Sequence, residues 1–105
     1  MTDPIPTPRP GAWTFLSNHG HVLMALSRDP GARVRDVAAA VGITERAVLS
    51  ILSDLEAEGI VERVREGRRN RYVLHLGAPL RHPLEAHRTV GELVGVVVGD
   101  GAARR

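Results

Sequence analysis

The sequence predicts a mostly helical α+β fold: three helices, a β-hairpin and a last helix. Three observations lead there. Apolar residues recur at helical spacing between residues 18 and 58, with turn signals in between. Two strand-like runs then flank a loop holding Gly67 and Asn70. A further apolar stripe at helical spacing follows Pro83. The length, 105 residues, matches one domain, and a hydrophobic content of 43% is enough for a small core.

The elements follow in chain order. Residues 1–12 are rich in proline, which fixes φ and lacks a donor, so an extended, flexible arm is expected. Trp13 to Arg28 reads as mostly helical, with Ser17 or Asn18 as the cap and Val22, Leu23 and Leu26 as the apolar face. Asp29-Pro30-Gly31 stops it. Arg35 to Val41 forms a short helix closed by Gly42, a residue suited to the left-handed C-terminal position. Thr44 then caps a helix over 44–58, where Val48, Ile51, Leu52 and Leu55 make one buried stripe, and Gly59 ends it. Strands are expected at Ile60–Arg65 and Arg71–Leu76, with 66–70 as the loop between them. A final helix is expected over Leu84–Val98. The boundaries are an arm at 1–12, a core domain at 13–76, a linker and last helix at 77–98, and a tail at 99–105.

Charge needs more care than the isoelectric point suggests. That point is about 10.4, yet the formal net charge is only +2. All fourteen basic residues are Arg and none is Lys, so little titrates between neutral pH and pH 10. What matters is position. The stretch Ile60–Leu76 holds five arginines against two glutamates, a net of +3, and the rest of the chain is slightly acidic. Cysteine is absent, which excludes disulfides, thiolate metal sites and a Cys nucleophile. The N-terminus has no apolar segment of signal-peptide type, and no stretch is apolar for long enough to span a bilayer. A cytoplasmic protein without membrane contact is expected.

The middle of the chain carries a recognisable spacing. A small residue, Ala38, sits inside the first helix of a pair, and Gly42 falls four positions later in the turn. Val37, Val41, Ile43, Val48 and Ile51 supply apolar side chains around them. Ala38 allows close helix approach, Gly42 takes the tight turn, and the apolar set buries the corner. This pattern resembles the helix-turn-helix of DNA-binding regulators, and the hairpin makes the whole similar to a winged helix. The run Asp54–Val61, followed by Gly67-Arg68-Arg69, is similar to small MarR-like and ArsR-like bacterial regulators. The resemblance implies a homodimer that binds a duplex operator through two half-sites and represses transcription. It covers about Leu23–Leu76 well. MarR-type proteins generally have longer dimerisation helices, so this chain would be a compact relative.

Within that reading, helix 44–58 enters the major groove by its N-terminal residues. Arg46 can fork onto guanine or hold a phosphate, Glu45 can accept from cytosine N4, and Leu49 can touch a thymine methyl. Ser50 and Ser53 share that face, and Thr44 with the first helical N–H groups can hold a phosphate. Wing 66–71 should meet the minor groove or its phosphates through Arg68 and Arg69, with Arg63 and Arg71 on the backbone. The bland alternative is a solvated face and a solvated basic tip.

The last helix suggests the dimer. Leu84, Val90, Leu93, Val94 and Val97 are expected to pack with Trp13, Phe15 and Leu16 of the same chain or a partner. Gly91, Gly95 and Gly99, each costing a helix roughly 1 kcal/mol against Ala, fit either close helix approach or fraying. His82, Glu85 and His87 do not share one helical face, so no metal site is expected, and no other cofactor is implied. No constellation of nucleophile, base and acid is present, and no enzyme is expected. Neither the operator nor a small-molecule effector is legible. The competing class is a winged helix that serves as a protein-interaction module without DNA.

Overall fold

The structure, a computed structural model, describes residues 11–99. The expected arm and tail therefore lie outside the described residues, apart from residues 11, 12 and 99. The elements are α1 (Asn18–Arg28), α2 (Val34–Val41), α3 (Glu45–Ala57), β1 (Val61–Glu66), β2 (Arg69–Leu74) and α4 (Val90–Val97).

Local chemistry explains most boundaries. Ser17 caps α1 by accepting from the Gly20 N–H at 3.4 Å. Gly42 ends α2 in the left-handed region at φ +85°, and the Ala38 carbonyl accepts from both Gly42 and Ile43. Thr44 caps α3, its Oγ1 accepting from the Ala47 N–H at 3.0 Å. The hairpin pairs Val61 with Leu74 and Glu66 with Arg69 in an antiparallel register, leaving only Gly67 and Arg68 in the turn. Gly67 stands at φ +61°, as the first position of a tight two-residue turn requires. The expected five-residue loop is thus shorter, and Asn70 belongs to the strand.

One core serves all six elements. Val22, Leu23, Met24 and Leu26 of α1 meet Val37 and Ala38 of α2 and the predicted stripe Val48, Ile51, Leu52 and Leu55 of α3. Ile60, Val61 and Tyr72 close it from the hairpin side, and Val90 and Val94 from α4. Fully burying one such aliphatic side chain contributes about 1.5–3 kcal/mol. The α1–α2 link also binds the hairpin edge: the Tyr72 N–H donates to the Pro30 carbonyl at 3.0 Å.

At the N-terminal end, α1 starts at Asn18 behind the expected cap Ser17, and Trp13 and Phe15 precede it. The C-terminal end is corrected. The last helix starts at Val90 rather than at 84, because residues 82–88 form turns. Glu85 donates to the His82 carbonyl and Arg88 to that of Glu85, both bonds closing tighter turns than an α-helix. The loop is pinned at its base, where Leu80 N–H donates to the Arg88 carbonyl and Val90 N–H to that of Ala78. Thr89 and Glu92 then start α4 with a reciprocal capping box. His82, Glu85 and His87 accordingly lie in this loop and not on a helix.

Candidate nucleic-acid interface

Helix α3 divides cleanly into two faces. Val48, Ile51, Leu52 and Leu55 are buried, whereas Glu45, Arg46, Leu49, Ser50 and Ser53 are exposed, as is the cap Thr44. Leu49 is 53% exposed, unusual for a leucine surrounded by polar neighbours. Thirteen residues make α3 about 20 Å long at 1.5 Å per residue. The Gly42 turn and the Ala38 contact hold the outward face in one orientation relative to α2.

The acidic end of α3 is compensated within the domain. Asp54 meets His19 Nε2 at 2.8 Å, Glu56 meets Arg63 Nε at 3.5 Å, and Glu58 meets Arg81 Nε at 3.4 Å. The His19 ring from α1 and guanidinium groups from β1 and the loop after the hairpin therefore engage the carboxylates there. Arg46, near the other end, forms no ion pair among the described residues. Glu45 beside it is likewise outside any ion pair among the described residues, so the two side chains offset each other and the helix N-terminus itself favours an anion at this end, away from the carboxylates at the other.

The wing arginines do not share one role. Arg63 is tied to Glu56, and Arg71 lies 4.0 Å from Glu66. Arg65 Nε donates to the Gly67 carbonyl at 2.9 Å and folds over the turn. Arg69 donates through Nη2 to the Gly31 carbonyl, joining the wing to the α1–α2 link. Arg68, at the turn itself, has no ion-pair partner among the described residues. The hairpin charge of +3 is thus partly internal structure and partly open surface.

Sequence reasoning did not single out Arg33. It precedes α2 and lines, with Ala32, Arg68, Arg69, Asn70 and Tyr72, a notch of about 240 Å³ between the link and the wing. A link of three residues after Asp29-Pro30-Gly31, returning to the edge of a basic hairpin, was the available signal.

A family model described as winged helix-turn-helix DNA-binding matches residues 17–62, which span α1, α2, α3 and the start of β1. The fold is that of a winged helix, with a helical core and a two-stranded antiparallel hairpin. Among solved structures, the chain is similar to MepR, a transcription regulator of the Staphylococcus aureus multidrug efflux pump MepA. That match has a TM-score of 0.50 at 20% identity over 83% of this chain, and it supports the fold. The chain spans about half the length of that protein, 51%. A search of curated protein sequences finds no match.

The residues expected at a dimer interface divide. Val90 and Val94 are buried in the chain's own core, and Leu16 and Leu93 pack against it half-buried. Trp13 is 78% exposed, Phe15 93% and Leu84 83%, while Val97 is half-exposed beside an exposed Val96. Trp13 and Phe15 stack edge to face with ring centroids 5.0 Å apart. Among the described residues, no helix is long and apolar enough to cross a membrane.

Proposed function

We propose that the protein is a sequence-specific duplex-DNA-binding transcription regulator, a cytoplasmic repressor acting as a homodimer. Helix α3 reads the major groove, where Arg46, Glu45 and Ser50 specify bases, Leu49 touches a thymine methyl, and Thr44 and Ser53 contact the backbone. The wing anchors the duplex through Arg68 at the minor groove or its phosphates. The observation that carries this reading is the outward face of α3, where Thr44, Glu45, Arg46, Leu49, Ser50 and Ser53 are all exposed while the acids at the far end of the helix are held by His19, Arg63 and Arg81.

The dimer reading rests on the exposed Trp13, Phe15, Leu84, Val96 and Val97. Aromatic side chains this exposed are characteristic of surfaces that meet another chain. The Gly91 N–H, which donates to the Leu76 carbonyl at 2.8 Å, and the buried Val90 and Val94 anchor α4 to its own domain, leaving the α4 side chains Val96 and Val97 for the partner.

Binding of a random duplex across a salt series, with light-scattering mass in parallel, tests the proposal. A dimer whose affinity falls steeply with salt is expected, each neutralised phosphate contributing about 0.9 to the log–log slope. A monomer that ignores DNA at low salt overturns it and leaves a protein-interaction module.

A further inference from the structure

The notch between the α1–α2 link and the wing is lined by arginines from two separate parts of the chain. Arg33 comes from the link, and Arg68 and Arg69 from the turn and β2. Cations placed together repel unless an anion joins them. No carboxylate lines this notch. The carboxylates nearest along the chain have other partners: Asp29 accepts from the Gly31 N–H at 3.1 Å, Asp36 from the Arg33 backbone N–H at 3.3 Å, and Glu66 lies 4.0 Å from the Arg71 guanidinium. Neither Arg33 nor Arg68 has an ion-pair partner among the described residues. Arg69 is braced on the Gly31 carbonyl, and the Tyr72 N–H on that of Pro30, so the two walls are tied together.

The geometry points to a single backbone phosphate of the duplex as the occupant of this notch, clamped between Arg33 and Arg68. The planar guanidinium presents paired donors that match phosphate oxygens, and two of them from opposite sides surround one phosphodiester. A volume of about 240 Å³ holds such a group with its waters, a water taking about 30 Å³. The clamp rests on the DNA-binding reading above and adds a contact outside α3. It sets the register of the duplex relative to the wing, since a phosphate contact positions without reading sequence. Arg63, tied to Glu56, has no part in it.

The test measures duplex affinity against salt for the full chain, for Arg33→Ala, Arg68→Ala and their double variant, and for Arg88→Ala, whose guanidinium pairs with Glu92 at the start of α4. Thermal melts by circular dichroism verify that each variant folds. Arg33→Ala and Arg68→Ala should each lower the log–log slope by up to about 0.9, and the double variant by no more than about 0.9, because both hold the same phosphate. Arg33→Lys should restore part of the affinity, and Arg88→Ala should leave the slope unchanged. A double variant that loses about 1.8 shows two separate phosphates and overturns the clamp. Unchanged slopes in the single variants overturn it as well, while wild-type binding would leave the DNA reading intact. Absence of wild-type binding defeats the DNA reading itself. Inorganic phosphate titrated against the Arg side-chain NMR signals separates the sources. Shifts at Arg33 and Arg68 with free phosphate, together with unaltered duplex slopes, would mark a free-anion site and contradict the proposal.

Discussion

Replacing Gly91 with Ala tests how α4 is attached to the domain. Gly91 is the second residue of α4 and its N–H donates to the Leu76 carbonyl at 2.8 Å. A Cβ on Gly91 would stand 2.9 Å from both the Leu76 carbonyl oxygen and Leu76 Cβ. The first obstacle is backbone, so it cannot rotate away, and retreat stretches the hydrogen bond. Forcing a methyl into such a contact costs about 1–3 kcal/mol. The better helix propensity of Ala returns at most about 1 kcal/mol. The net is a loss of about 1 kcal/mol, which lowers Tm by about 4–8 °C in a domain of this size. Gly77→Ala is the control, since nothing lies within 4 Å of its added Cβ. It should match wild type or gain up to about 1 kcal/mol. Differential scanning calorimetry of the two variants decides the matter. A Gly91→Ala protein melting with or above Gly77→Ala would refute a close backbone approach and favour a frayed, loosely attached α4.

Other outcomes follow from the capping groups. Thr44→Ala removes the acceptor for the Ala47 N–H and should cost about 1 kcal/mol in chemical denaturation, with weaker duplex binding beyond that loss if Thr44 contacts phosphate. Glu92 is held below the usual 4.5 by the Thr89 N–H and then by Arg88, whose Nη1 lies 2.8 Å from Oε2. Its folded value is depressed, so its contribution is present above 4.5 and disappears as pH falls through the lowered value. Amide exchange in α4 should accelerate in that acid range, and Glu92→Gln should abolish the pH dependence.

Much of the fold was legible because local and tertiary signals agree. Ser17, Gly42 and Thr44 each occupy the cap the sequence assigns, and the stripe Val48, Ile51, Leu52 and Leu55 is buried as its spacing demands. The last helix was less legible. Pro83 suits a first turn, yet the pairing of Pro79 with Thr89 closes 80–88 into a loop. That contact spans a loop and has no periodic signature. The true start was nevertheless written in Thr89-Val90-Gly91-Glu92, a capping box. Burial of Val90 and Val94 in the chain's own core is likewise tertiary, because an apolar stripe does not name its partner.

The candidate interface was legible in composition but not in allocation. Every residue proposed on α3 and the wing is exposed. Charge counting could not separate Arg63, which offsets Glu56, from Arg68, which stands open. Nor could it bring Arg33 to the wing, since the two are joined only by the return of the link to β2.

The central claim is that α3 and the wing form a nucleic-acid face. Mapping amide NMR shifts of the full chain on adding a short duplex at low salt tests it most directly. The account predicts shifts concentrated at Thr44–Ser53 and around Gly67–Arg69, with Arg33 among them. Shifts confined to Trp13, Phe15 and α4, or none at all, would contradict it.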